Sequence, residues 1–489
     1  MTDNPYTETN PYGQHQLLLP GSLRYLEKRP SLLVFGITTL FAVFTYLVTI
    51  APDLTWANYS GDAGELITAA VTLGVPHPPG YPTYIMIGKL FSLLPVGTVA
   101  FRFNMFSAVS AALAAGFVSA TAFEQVRDSR YSRIVAIATG LTFAFAPLVW
   151  SQATVTEVYS LRLALAAAFL WSLLGKRSAI LTGSLLGLAI TAHLTSILLI
   201  PMTLFLIETK QRRRLAVGTI IGLTPILAMP FITNQQSPVL WGDISTLRGY
   251  WWIISAEIYF ANLRASPTTL SVQNFASWST DFLNQLAIAG WLLLAIGIKR
   301  FVPDSKSLIW LLLTAAIVAI FSYTYQPSDS VLHLTLTLLL LSPIFAAGLT
   351  KAGHWSILLP IVLLLLNIGK QDLDQGARVR SMVEDLYAEL PSEALILTPG
   401  DQSIFTLWYF THVEKQRTDL LLVDVNLFAF DWYREQLSRR YPTLEALEKD
   451  DLKLFQTQNV VERPVCNVSL QSPSNYICFT ELDSLAIAE

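Results

Sequence analysis

Charge is scarce in this chain. Of its 489 residues only 14% are Asp, Glu, Lys or Arg, well below the roughly 25% of soluble domains, and the mean hydropathy is +0.48. A water-soluble globule is therefore excluded, and the class is integral membrane protein. The net charge of −3 decides little by itself, because the placement of charge matters more than its sum. No nucleic-acid partner is expected. Cysteine is nearly absent too: Cys466 and Cys478 both lie near the C-terminus and are too few for a metal-ligand set of their own. Residues 1–22 are polar and contain proline, the first apolar run starts only near Ser31, and no cleavable leader is expected.

What the chain has is a long series of apolar runs. A span needs about 20 apolar residues. Spans are predicted near 31–50, 101–123, 134–150, 159–175, 178–192, 194–208, 215–232, 282–298, 307–324, 330–349 and 354–369. The fifth and sixth are short and meet at a polar corner, TAHLTS. With eleven spans, one set of connections holds sixteen cations, from Arg24, Lys28 and Arg29 through Arg127, Lys176, Lys210 and Lys299 to Lys351. The opposite short connections hold a handful, including Lys89, Arg102, Arg248 and Arg264. The positive-inside rule then puts the N-terminus in the cytoplasm and the tail from about Lys370 outside.

This gives three parts: a cytoplasmic segment 1–30, a membrane domain 31–369 with an outer loop 51–100, and an extracytoplasmic α/β domain 370–489. The tail reads strand ALILT, helix SIFTLWYFTHVEK, strand LLLVDV, helix WYREQLSRR. Asp401 and Asp424 fall just after or at the ends of those strands, where open sheets often place ligands, although turn and capping roles are the expected ones. In an oxidising space a Cys466–Cys478 disulfide is chemically allowed, and two unpaired buried thiols are the alternative.

The most informative stretch is GDAGELITAAVTLGVPHPPGYP, from Gly61 to Pro82. Asp62 and Glu65 share a helical face. Pro76, Pro78, Pro79 and Pro82 then bar a continuous helix from Val75 to Tyr81. The next apolar run, residues 83–94, covers about 18 Å as a helix and cannot cross a layer roughly 30 Å thick. A platform of two short helices joined by a rigid elbow is predicted at the membrane surface. Structurally, Asp62 could cap its helix and Glu65 favour the helix dipole. Yet further polar groups recur at the same membrane face: Arg102, Glu157 with Tyr159, His193, and Asp329. Each alone is an ordinary helix-end residue. Together, from separate connections, they imply a shared hydrated cavity.

Several of these segments resemble a family of multi-spanning GT-C glycosyltransferases, long labelled only as a domain of unknown function, which includes the animal enzyme that O-mannosylates plexin-type receptor domains. The resemblance rests on GDAGELITAA, LGVPHPPGYPTY, FRFNMFSAVSAALAAG and TEVYSL. GLAITAHLTSILLIP, SPVLWGD, YTYQPSD and GDQSIFTLWYF extend it. It departs from the pattern near 330–343, which is leucine-rich and poor in aromatics. The resemblance implies a GT-C-like fold of about 11 transmembrane helices in a multi-pass membrane protein, of the cell membrane if the source is bacterial. It implies a polyprenyl-phosphate-linked sugar donor, with mannose the sugar in one branch of the family, and a protein, glycan or lipid acceptor among membrane lipids. The catalytic carboxylate becomes Asp62, a general base in an inverting transfer, with Glu65 as its neighbour. Arg102, then Lys89, would hold the departing phosphate. His77 and Tyr81 would line the acceptor or sugar site, with Glu157, Tyr159, His193 and Asp329 as further substrate contacts. An aspartate near pKa 4 suits proton removal without any upward shift. A divalent metal stays open, because two carboxylates make an incomplete site. The rival readings are a transporter or lipid flippase, against which no matched pair of broken spans stands out, and a scaffold presenting the tail.

Overall fold

The computed structural model describes residues 7–9, 15–17, 29–263, 271–301, 305–373, 378–470 and 475–481. Arg24, Lys28 and Arg264 of the charge census lie outside the described residues. The protein is a polytopic helical membrane protein. Among the described residues six helices are long and apolar enough to cross a membrane: Pro30–Thr49, Val99–Gln125, Thr209–Ile232, Ser305–Thr324, Ser328–Leu349 and Gly353–Gln371. Two more candidates are bent pairs, Ser132–Ala144 with Pro147–Ala153 and Val272–Asn284 with Ala287–Arg300, turned by 69° and 80°. Pro147 opens the second member of the first pair and lacks the N–H that a continuous helix would use there. Tyr159–Leu174, Ala179–Ala192 and Leu194–Leu206 are apolar but shorter. Each of the eleven runs read from the sequence is thus largely helical.

Two helices form the centre. The apolar windows of Val99–Gln125 and Ser328–Leu349 are 78% and 94% buried, against 28–33% for the four other long helices. Val99–Gln125 suits that place because its Ala, Ser and Gly residues let neighbours approach closely. A second close contact joins Ala179–Ala192 to Arg212–Gly222. There Gly183 and Gly187 face Gly218 and Gly222, and an added methyl at any of the four would strike the partner's backbone. The peripheral helices turn large apolar side chains outward, such as Leu40, Phe44, Ile220, Ile309 and Leu365. In a bilayer those faces meet acyl chains.

Beyond the membrane helices the chain builds a four-stranded sheet in the order Leu421–Asp424, Leu395–Thr398, Val465–Ser469, Asn475–Phe479. The first three strands are parallel and the last is antiparallel. The first strand, helix, strand and helix follow the sequence reading, except that the first helix, Asp401–Trp408, passes into a wider turn at Tyr409–Val413. The last two strands and the Leu452–Asn459 helix were not foreseen. Cys466 and Cys478 are directly opposite in that antiparallel pair and form a disulfide.

The tail is packed onto the first loop. Arg380 pairs with Asp53, Trp56 Nε1 donates to Thr406 Oγ1 at 3.0 Å, and Gln436 Nε2 donates to the Gly242 carbonyl at 3.2 Å. The Ala63–Thr72 helix lies so close to the Asp401–Trp408 helix that a methyl on Gly64 would collide with the Phe405 carbonyl, whereas one on Gly61 meets nothing within 4 Å. Overpacking of this kind costs about 1–3 kcal/mol. Gly64→Ala should therefore lower the thermal midpoint of the purified protein and expose the tail to protease, while Gly61→Ala leaves both near wild type. Equal behaviour of the two variants would remove the close approach as a constraint.

Candidate active site

The loop after the first membrane helix enters the site through a tight turn. Asn58 and Tyr59 adopt positive φ (57° and 67°) within the Ala57–Asp62 turn, and the chain then runs into the Ala63–Thr72 helix. Pro82 restarts a helix at Pro82–Ser92, so the two short helices and the elbow between them take the predicted form. Asp62 stands at the N-cap of the first helix, yet its carboxylate makes no capping hydrogen bond. Its side chain is 39% exposed and faces a cavity of about 660 Å³.

Glu65, one turn on, behaves differently. It is wholly buried and does not line the cavity. Its two oxygens accept from the His77 backbone N–H (3.1 Å) and meet His77 Nδ1 at 2.5 Å, and Oε1 also accepts from the Trp241 indole. The elbow imidazole is thereby fixed. Its other nitrogen, Nε2, sits 3.0 Å from the Tyr81 hydroxyl and 3.7 Å from Asp62 Oδ2. Glu65 therefore holds the histidine, and Asp62 is the carboxylate left facing the cavity.

Electrostatics follow from this geometry. Burial raises the Asp62 carboxyl to about 6, with His77 pulling it down and the charges of Glu65 and Asp329 adding to the rise. The ordinary value expected from sequence is thus corrected upward, although the group remains mostly ionised at neutral pH. Burial alone would lower His77; the charges of Glu65 and Asp62 outweigh it and lift the imidazole to about 10. His77 is therefore a cation beside an ionised aspartate.

The structure brings the other polar residues together around the same space. Glu157, Tyr159, His193 and Asp329 line it alongside Asp62, His77 and Tyr81. Tyr159 donates its hydroxyl to Asp329 Oδ2 at 2.5 Å. His193 lies in extended backbone between two short helices, its ring 5.2 Å from Tyr159 and 5.8 Å from Tyr81. Arg102 and Lys89 are not brought there. Arg102 clasps the turn below it, donating to the carbonyls of Ser92, Val96 and Gly97, and Lys89 donates to the Val71 carbonyl. Neither lines the cavity.

Gln402, Arg162 and His333 escaped the sequence reading, and Asp401 takes the less expected of its two roles. Asp401 and Gln402 reach the cavity from the tail, whereas Asp424 takes the turn role expected of both aspartates, accepting from the N–H groups of Asn426 and Leu427. Arg162 is fully buried in the Tyr159–Leu174 helix, donating to Thr195 and Thr335 hydroxyls at 3.2 and 2.8 Å, with one Nη 3.0 Å from His333 Nδ1. Its guanidinium carbon lies 4.9 Å from the Tyr159 ring centre. His333 in turn lines the cavity. An arginine in the apolar run SLRLAL and a histidine in VLHL are the rare intramembrane ionisable groups that could have flagged both. Among the described residues no cluster of three or more His, Cys, Asp or Glu side chains is placed to hold a metal ion.

Two family models match. Residues 62–216 fit the protein O-mannosyl-transferase TMEM260 N-terminal domain and residues 379–459 fit TMEM260-associated domain 2. The chain is 26% identical over 470 residues to the protein O-mannosyl-transferase TMEM260 of Mus musculus, an alignment covering 85% of this chain and 65% of the mouse protein. It is 29% identical over 226 residues to the Dictyostelium discoideum protein of the same name, covering 39% and 27%. The chain thus spans less than two thirds of the length of these relatives. In fold it matches the crystal structure of ArnT from Cupriavidus metallidurans bound to undecaprenyl phosphate, with a TM-score of 0.50 and 14% identity, over 89% of this chain and 92% of that one. The first model begins at Asp62 itself and extends through His77, Tyr81, Glu157, Tyr159 and His193. By these matches the chain resembles the TMEM260 protein O-mannosyl-transferases in sequence and shares its fold with ArnT.

Proposed function

We propose that this protein moves a sugar from a polyprenyl-phosphate donor to an acceptor hydroxyl, inverting the anomeric centre, with Asp62 as general base. The observation that carries the reading is an uncapped, half-exposed carboxylate aimed into a polar cavity, beside a histidine pinned by a fully buried glutamate. The acceptor O–H gives its proton to Asp62 as its oxygen bonds to the anomeric carbon. The bond from that carbon to phosphate breaks, and its electron pair leaves with the polyprenyl phosphate. Mannose as the sugar and a protein as the acceptor are supported by the names of the relatives. The polyprenyl phosphate bound to ArnT supports the donor class.

The membrane arrangement proposed with it has eleven spans, a cytoplasmic N-terminal segment 1–30, a catalytic membrane domain 31–369 and an extracytoplasmic tail 370–489. The cavity then opens on the outer face. The Pro82–Ser92 helix lies along that interface, with Met86 and Leu90 outward. The developing phosphate charge needs a cation. His77 supplies one at the cavity wall. Arg162, behind Tyr159 and His333, supplies a second field with no carboxylate directly on it. Arg102 and Lys89 take no part, because both bind loop carbonyls and neither lines the cavity.

Asp62→Asn should cut release of lipid phosphate from a polyprenyl-phosphate mannose by roughly 10²–10⁴-fold, with insertion and melting unchanged; near-normal release would remove Asp62 from the chemistry. The acid limb of kcat/KM should fall near pH 6, the value to which Asp62 is raised. His77→Gln takes away the cation that lowers it, so this limb should move to higher pH. A limb that stays put or moves down refutes the coupling. Arg162→Gln should lower turnover about 10²-fold, with partial recovery in Arg162→Lys, while Arg102→Ala stays close to wild type. The opposite order would return the phosphate role to Arg102.

A further inference from the structure

The end of the helix bundle away from Asp62 holds a second built cavity. The Pro30–Thr49 helix finishes, and the Val99–Gln125 and Tyr159–Leu174 helices begin, beside the catalytic loop. Their other ends enclose a groove of about 1030 Å³. The 27 residues of Val99–Gln125 span about 40 Å, close to the full thickness of a bilayer with its headgroups. This groove therefore sits at headgroup level in the opposite leaflet.

Its chemistry is amphiphilic. One wall is aromatic: Phe35 meets Phe117 edge-on at 4.9 Å, and Phe117 lies 5.5 Å from Trp171. Among the described residues that line it, the rim carries Arg29, Arg127, Lys176 and Arg177 against one carboxylate, Glu124. That carboxylate is already engaged: Arg177 donates to it at 2.6 and 3.2 Å, and Ser31 Oγ at 3.3 Å. Arg177 is itself held, stacked 3.3 Å above the Trp171 ring and donating to the Trp171 carbonyl at 2.6 Å. The exposed rim cations Arg127 and Lys176 then set the sign of the mouth. The start of the Pro30–Thr49 helix lines it too, adding the positive end of a helix dipole.

We infer that this groove binds one anionic phospholipid of the leaflet opposite the catalytic cavity, with its phosphate at Arg127 and Lys176 and an acyl chain along the Phe35–Phe117–Trp171 wall. Charge complementarity selects an anion and the aromatic wall selects a chain-bearing one. The depth matches where such headgroups lie.

The full-length protein, reconstituted in vesicles of phosphatidylcholine with phosphatidylglycerol and then re-extracted, tests this by native mass spectrometry of retained lipid. Phosphatidylglycerol should be retained over phosphatidylcholine. The double variant Arg127→Gln, Lys176→Gln should lose that preference by roughly thirtyfold, the weight of two interfacial cations. Leu32→Trp, at an exposed position on the wall, should fill the groove and reduce retention without touching the interior. Equal retention of the two lipids, an undiminished preference in the double variant, or displacement by chain-free glycerol phosphate would each overturn the assignment.

Discussion

The site depends on one buried carboxylate. Glu65 joins three segments that are remote in sequence: its own helix, the proline elbow through His77, and the 237–242 strand-like segment through Trp241. A buried acid is tolerated only when its oxygens are fully engaged, and removing one partner of such a set costs about 3–5 kcal/mol. Engaged on both oxygens, it turns the elbow from a flexible polar loop into a wall of fixed geometry. His77 is then oriented for Tyr81 and Asp62, and Asp62 is spared from capping its own helix.

Around that fixed point the cavity separates its charges. Acidic side chains from four regions, Asp62, Glu157, Asp329 and Asp401, face the space, while Arg162 stands behind the aromatic wall. A preformed field of this kind acts on a reacting bond without waiting for solvent to reorganise. The Tyr159–Asp329 and Arg162–His333 contacts hold it in place. Both use side chains from helices that pack against the centre of the bundle, which is why groups at membrane level keep their positions.

Much of this was legible in the sequence. Proline spacing gave the elbow, since its stereochemistry is local, and hydropathy located the apolar runs that fold as helices. The convergence of Asp62, His77, Tyr81, Glu157, Tyr159, His193 and Asp329 on one cavity is what their expected placement at one end of the spans implies. What the sequence could not show was direction. Asp62 and Glu65 look equivalent on a helical face, and only the packing of Trp241 and the elbow sends one inward and the other to the cavity. Arg102 lies away from the cavity for a similar reason: a cation at a helix start is as ready to bind nearby carbonyls as a ligand. Asp401 and Asp424, alike at strand ends, were divided by the docking of the tail, a long-range event that no local pattern records.

That docking has a consequence for how such chains diversify. The C-terminal domain places Asp401 and Gln402 in the cavity and is locked to the loop by Arg380 and by the bare backbone of Gly64. It is not a detachable module. A chimera that borrowed this domain from a relative would import part of the cavity wall with it, so the lining and the scaffold are inherited as one unit.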